Sequence, residues 1–206
     1  MRRIRIMAVD DHPVLRQGLS AIIANELDMQ LVGEAANGRE ALEQYRVLEP
    51  DIVLLDVQMP EMNGIEAIRA IRAEFPTARV IVLTTFAGDV LAQTALEAGA
   101  QGYILKGSLR KELLDTVRAV YRGQKRVNAA VAKKMATYVG ADALSEREID
   151  VLKLIALGNP NKRIGFHLAI TEETVKAHVK SILSKLGAND RTHAVTLGVM
   201  RGIIQL

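Results

Sequence analysis

Two adjacent acids, Asp10 and Asp11, a third acid, Asp56, a hydroxyl, Thr84, and an amine, Lys106, each stand where a short apolar run stops. The runs are "IRIMAV", "DIVLL", "RVIVLT" and "GYIL". Three carboxylates held together repel, and their full ionisation is costly unless a cation joins them. Magnesium suits such a group: it is a hard ion that takes a few carboxylates, keeps waters and leaves room for phosphate oxygens. With Lys106 and Thr84 to bind the remaining oxygens of a phosphoryl group, Asp56 becomes the nucleophile and an aspartyl phosphate the product. Each residue also has a plainer reading. Asp10 and Asp11 before "HPVL" can cap a helix, with Asp11 near the N-cap and Pro13 in the first turn. Asp56 can begin a turn, Thr84 is a β-branched strand residue, and Lys106 alone is an ordinary solvated lysine. Their joint placement at successive strand ends favours the chemical reading.

The elements that must hold these residues alternate. "IRIMAV" reads as a strand, Val14 to Asn25 as a helix, "LVGEA" as a weaker strand and Arg39 to Leu48 as a helix. "DIVLL" then precedes a helix over Gly64 to Glu74, "RVIVLT" one over Val90 to Ala98, and "GYIL" one over Leu109 to Tyr121. Five such βα units with near-continuous apolar strands imply a parallel sheet covered on both faces. Ligands of such sheets sit beyond the carboxyl ends of the strands, at the switch point, where all five chemical residues converge. The break from Pro60 to Gly64 leaves the rim of that edge irregular and open.

After Arg122 the pattern changes. "GQKRVNAAVAKKMATYVGADA" is basic, holds one helix candidate over Ala129 to Val139 and ends in a linker-like Gly/Ala/Asp segment. From Leu144 only helices are expected: Glu146 to Ala156, Asn161 to Leu168, Glu172 to Leu186 and Arg191 to Arg201. Charge divides the same way. Residues 1–106 carry 10 Lys/Arg and 15 Asp/Glu, residues 107–143 carry 8 and 3, and residues 144–206 carry 9 and 6. An acidic front and a basic back suggest two jobs, the second with nucleic acid.

The remaining composition is exclusionary. The chain has no cysteine, so disulfides and thiolate zinc sites are out, and its four histidines show no metal-ligand spacing. The basic start "MRRIRIMAVDD" has too short an apolar run for a signal peptide, and no segment reaches the apolar length of a membrane span. The expectation is a cytoplasmic protein with no membrane partner.

In the back half, Asn159 and Pro160 suit an N-cap and first helical position, and Thr171 suits the N-cap of the next helix, with Glu172 and Glu173 favouring its dipole. Two helices joined by "AI" and a capping Thr form a helix-turn-helix pattern. In the second, Val175, Val179, Ile182, Leu183 and Leu186 share one face, leaving Lys176, Ala177, Lys180, Ser181 and Ser184 opposite. That face carries positive charge and small side chains, as a major-groove reader does. Helical pairs of this kind also build protein-binding bundles, so the alternative stands at this point.

The stretches "VDDHP", "DIVLLDVQMPEMNG", "VIVLTTF" and "GYILKGS" resemble the signatures of response-regulator receiver domains, over residues 1–121. The resemblance implies a doubly wound, flavodoxin-like (βα)5 fold. It implies that Asp56 is the phosphoacceptor and that Asp10, Asp11, Asp56 and the backbone carbonyl of Gln58 hold Mg2+. Thr84 would be the switch hydroxyl, Lys106 a phosphate contact and Tyr103 the aromatic that follows the switch. One departure is Gly107, where receivers commonly have proline. "LSEREIDVLKLIALG", "NKRI", "TVKAHVKSILSKLG" and "DRTHAV" resemble the LuxR-type domain of NarL/FixJ-type regulators, over residues 144–206, leaving 122–143 as a linker with a helix. By that resemblance the chain ends in a small all-α helix-turn-helix domain in which Lys176, Ala177 and Lys180 face the groove. Thr174 and His178 belong to the same motif, and Arg191 to Arg201 pairs the dimer. Arg163 and Gly165 stand where the family usually has Glu and Ala, which puts a usual ion pair and the helix's stability in question, Gly costing about 1 kcal/mol relative to Ala. The function implied is that of a non-enzymatic regulator, phosphorylated by a sensor histidine kinase and binding double-stranded operator DNA as a homodimer, with RNA polymerase as a further partner. A magnesium phosphatase of the haloacid-dehalogenase kind needs a second acid two residues after its nucleophile, and this chain has Gln58 there. A regulator that senses by binding alone, with a vestigial acidic site, is the third reading.

Overall fold

The computed structural model describes residues 2–85, 88–127, 131–132 and 143–204. It divides into two compact units, the first containing the sheet and the second the C-terminal helices.

In the first, β1 (Ile4–Val9), α1 (Pro13–Ala24), β2 (Met29–Ala35), α2 (Gly38–Leu48), β3 (Ile52–Asp56), α3 (Gly64–Glu74), β4 (Val80–Thr84), α4 (Asp89–Ala98), β5 (Gly102–Leu105) and α5 (Leu109–Tyr121) follow in turn. The sheet order is β2-β1-β3-β4-β5, every pairing parallel, and a sixth short strand, β6 (Arg126–Val127), is added beyond β5. β6 departs from the expectation of a linker there: Arg126 pairs with Gly102 and Val127 with Tyr103. The helix expected over Ala129 to Val139 falls outside the described residues except at 131–132, which are helical.

The strands form for the expected reason. All five residues of β3 and of β4 are buried, as central parallel strands covered on both faces must be. One face supplies Ile6, Ala8, Ile52, Leu54, Ile81, Leu83 and Ile104 to a core that Leu19 and Ile23 of α1 and Leu113, Val117 and Val120 of α5 complete. Strand alternation sends Met7, Val53, Leu55, Val82 and Tyr103 to the opposite face, where they are also buried. Each such side chain contributes roughly 1.5–3 kcal/mol by leaving water. The strand order reverses around β1, which lies between β2 and β3, so the switch point is at the ends of β1 and β3.

The helical unit is α6 (Glu146–Ala156), α7 (Asn161–Leu168), α8 (Glu172–Leu186) and α9 (Arg191–Met200). Ser145 and Glu148 form a capping box on α6, while the Thr171 and Asp190 side chains accept the Thr174 and His193 amides to cap α8 and α9. The cap of α7 falls one residue later than expected, on Pro160, with Asn161 as its first helical residue. Val151, Leu152, Ile155, Ile164, Val175, Ile182, Leu186, Ala194 and Ile204 are the buried core. Gly165 is buried where α7 meets the following turn, and a Cβ on it would lie 2.7 Å from the Ile170 carbonyl. The glycine therefore permits a close backbone approach, a gain set against its poor helix propensity.

Arg163 is exposed, and the buried ion pair of this unit is Glu148 with Lys185, at 2.8 Å. Burial alone would raise the Glu148 carboxyl, but hydrogen bonds from Lys185, Ser181 (2.6 Å) and the Ser145 amide (2.7 Å) outweigh it and hold the group at about 2. Because the folded pKa lies below the unfolded one, this stabilisation is complete above about pH 4.5 and is lost as pH falls toward 2. Glu148→Gln is expected to destabilise the helical unit by on the order of 2–3 kcal/mol at pH 7 and to flatten its acid dependence. Thermal melts of both proteins between pH 7 and pH 3 measure this, and parallel curves with equal midpoints would contradict it.

Candidate functional site

β1 and β3 run side by side with Val9 opposite Leu55, so Asp10 and Asp56 emerge together at the carboxyl edge. Both are buried, at 0% and 3% exposure, while Asp11 is partly exposed. Asp11 does not cap α1. The N-cap is His12, whose side chain makes no capping bond, and Asp10 Oδ1 accepts the His12 amide at 2.9 Å. The Arg16 guanidinium donates to the Asp10 carbonyl at 2.6 Å and so fixes the backbone of the acid pair.

Lys106 opens a 3-10 turn, Lys106–Ser108, that leads from β5 into α5, with Gly107 in its middle. Its ammonium lies 2.7 Å from Asp10 Oδ2 and 2.8 Å from Asp56 Oδ2, bridging the two buried acids. Burial pushes the Asp56 carboxyl up, the Lys106 hydrogen bond and charge pull it down, and Asp10 adds to the rise; the net shift is upward. The Gln58 amide donates to the Asp56 carboxylate and opposes that rise. Burial pulls Lys106 down, but the two carboxylates outweigh it, so the amine remains charged.

The segment after Asp56 is held by close approaches. A Cβ on Gly64 would lie 2.2 Å from the Asp56 carbonyl oxygen, and one on Gly38 2.7 Å from the Met62 carbonyl. Only glycine lets α3 start that near the Asp56 backbone. Asn63 and Glu66 then lock the helix start with a capping box, and the Gly64 amide donates to the Val57 carbonyl at 2.9 Å. The Pro60 to Gly64 break is thus a tied rim.

One donor atom each from Asp10, Asp11, His12 and Asp56 falls within 4.8 Å of the others. Asp10 Oδ2 and Asp11 Oδ1 are buried atoms whose neighbours are the Lys106 ammonium and His12 Nδ1, each at 2.7 Å. Hard carboxylate oxygens in this number and this close together fit a divalent cation of the magnesium kind. His12 is the residue of this cluster that sequence spacing passed over: no second histidine stands at metal-ligand spacing from it, and only its place beside two acids at a strand end sets it apart.

Thr84, buried at the end of β4, pairs with Leu105 next to Lys106. Tyr103, 1% exposed, is two residues from that position on the same face of the sheet. Burial pushes the Tyr103 phenol well above its ordinary value, and a hydrogen bond with the Thr84 side chain opposes the rise. The two expected switch residues are therefore in contact.

On α8, Lys176, Ala177, Lys180 and Ser184 are exposed, Thr174 is exposed beside its cap, and His178 is half-buried. Ser181 is not on that face: it turns inward to Glu148. Lys176 ion-pairs with Glu173 at 3.2 Å and Glu172 at 3.9 Å, whereas Lys180 has no ion pair among the described residues. An exposed pair of this kind is worth under about 1 kcal/mol, so Lys176 is readily released to an anionic ligand. No described helix is long and apolar enough to cross a membrane.

The response regulator receiver domain family matches residues 6–118, and the family of bacterial regulatory proteins of the luxR type matches residues 142–197. The transcriptional regulatory protein YdfI of Bacillus subtilis is 40% identical over 98% of this chain and 98% of its own length. The response regulator protein VraR of Staphylococcus aureus is 39% identical over 98% and 99%. The crystal structure of ChrA, a response regulator of a heme-sensing two-component system, aligns over 99% of this chain and 100% of its own, with a TM-score of 0.58 and 36% identity.

Proposed function

Because the chain belongs to the response-regulator family, with a receiver joined to a LuxR-type DNA-binding domain, we propose that Asp56 is its phosphoacceptor and α8 its DNA reader. The observation that carries this reading is the Asp10–Lys106–Asp56 bridge at the switch point of the sheet. The receiver spans 1–121, the linker 122–143 and the DNA-binding domain 144–206; the pairing of β6 with β5 supports carrying the receiver's sheet on to Val127.

In the proposed reaction the Asp56 carboxylate attacks the phosphorus of a phosphohistidine on a sensor kinase. An O–P bond forms, the P–N bond breaks, and the imidazole leaves with the electron pair and takes a proton. Asp10, Asp11, Asp56 and the Gln58 carbonyl would hold Mg2+, which when bound offsets the carboxylate charge and draws in phosphoryl oxygens. Lys106 is already within hydrogen-bonding reach of Asp56 and moves onto an oxygen of the new group. Gln58, standing where a hydrolase of this geometry has its general acid, supports a regulator that keeps its phosphoryl group over an enzyme that turns over external esters. The work is intracellular, with DNA, a second copy of the chain and RNA polymerase as partners.

The Thr84–Tyr103 contact supports the switch. A Thr84 hydroxyl drawn to the phosphoryl group leaves the Tyr103 phenol, which then loses a buried hydrogen-bond partner and repacks. Thr84→Ala is expected to accept the phosphoryl group yet raise DNA affinity on phosphorylation several-fold less than wild type does. Intact-mass labelling together with DNA titration tests this, and a Thr84→Ala chain whose phosphorylated form binds DNA as tightly as wild type would overturn it.

A further inference from the structure

We infer that His12 is a fourth side-chain ligand of the divalent-ion site, beside Asp10, Asp11 and Asp56, and biases it toward nitrogen-accepting ions such as Co2+, Ni2+ and Zn2+ relative to Mg2+. The inference rests on the carboxylate site proposed above and adds a residue and a metal preference to it. His12 Nδ1 lies 2.7 Å from Asp11 Oδ1 and 3.1 Å from Asp10 Oδ1. Neighbouring ligands on an octahedral ion with bonds of about 2.1 Å stand about 3.0 Å apart, so the imidazole nitrogen already holds the spacing of a ligand beside both acids. The four donor atoms together span 4.8 Å, within roughly half an ångström of the width of such an ion's ligand shell.

Three further observations support it. The His12 side chain is not used to cap α1, so the helix does not dictate its position. The ring is 69% exposed, which leaves it free to turn on its stem as an ion enters. Asp10 is wholly buried and held from both sides, its Oδ1 beside His12 Nδ1 and its Oδ2 beside the Lys106 ammonium, so the carboxylate next to His12 is fixed in place. Chemistry sets the direction. Carboxylates alone serve magnesium well, whereas an imidazole favours the later first-row metals in the order of their affinity for nitrogen. A receiver with this donor set would discriminate among divalent ions at the step that prepares Asp56.

The test uses the full chain and the metals alone. Co2+ is titrated into wild type, His12→Ala and His12→Gln, followed by visible absorption, and Mg2+ is then competed against it. The ratio of Co2+ to Mg2+ affinity is expected to fall by about tenfold or more in both variants. In wild type, Zn2+ should shift the His12 ring-nitrogen resonances, a readout that needs no variant. If both variants keep the wild-type ratio and the His12 resonances do not move with Zn2+, the proposal is wrong while the carboxylate site stands. If wild type binds neither Co2+ nor Mg2+, or Asp11→Ala binds both as wild type does, the carboxylate site itself is wrong and the proposal falls with it.

Discussion

Asp56→Asn should take up no phosphoryl group from acetyl phosphate under conditions in which wild type takes up one, read by intact mass with and without Mg2+. The amide preserves size and loses the nucleophilic oxygen, and Asp56 closes β3 with its Oδ2 2.8 Å from the Lys106 ammonium. Unfolding will not mimic the result. The folded pKa of Asp56 is raised above the unfolded value, so the ionised group costs the fold stability above its folded pKa, and that cost disappears below about pH 3.8. Removing the charge should therefore leave the metal-free Asn variant melting no lower than wild type at pH 7 to 8, with the difference narrowing in acid. Undiminished labelling of the Asn variant would remove Asp56 from its role.

Replacing Lys180 or Lys176 with Ala should leave the helical unit folded and weaken DNA binding. Both are exposed and outside the core, where substitutions usually move stability by less than about 0.5 kcal/mol. A lysine that contacts phosphate should weaken all duplexes alike and reduce the salt slope by about one unit. One that reads a base edge should cost about 1–3 kcal/mol, mainly on the preferred site. Lys180, free of the Glu173 and Glu172 pairs that hold Lys176, should show the larger loss. Titrations on selected and random duplexes at several salt concentrations measure this, and two variants that match wild type on both would return the helical unit to the protein-binding reading.

The parts of this protein that sequence reasoning reached are those governed by local rules. Apolar runs ending at Asp10, Asp56, Thr84 and Lys106 located the strand ends, helical periodicity gave α3, α5, α6, α7 and α8 their observed limits, and Thr171 was legible as the cap of α8. The parts it missed depend on contacts distant in sequence. β6 is two residues, Arg126 and Val127, with no apolar run, and exists because β5 offers an open edge. Helical phase alone placed Ser181 outward, but Glu148, 33 residues earlier, draws it in. Gly165 read as a weak point of its helix because the Ile170 carbonyl that a side chain would strike is visible only once the turn is folded. His12 lacked a second histidine at metal-ligand spacing, yet the acids it clusters with are its own chain neighbours and a strand end 44 residues on.

The central claim is that a phosphoryl group on Asp56 controls DNA binding by α8. The most direct measurement is the affinity of the full chain for duplexes selected from a random pool by its phosphorylated form, taken before and after acetyl phosphate treatment with Mg2+, in wild type and Asp56→Asn. Treatment is expected to raise the affinity of wild type about tenfold or more, a coupling of the ordinary allosteric size, and to leave Asp56→Asn at its untreated value. Equal affinities for treated and untreated wild type, with labelling confirmed on the same samples, would contradict it.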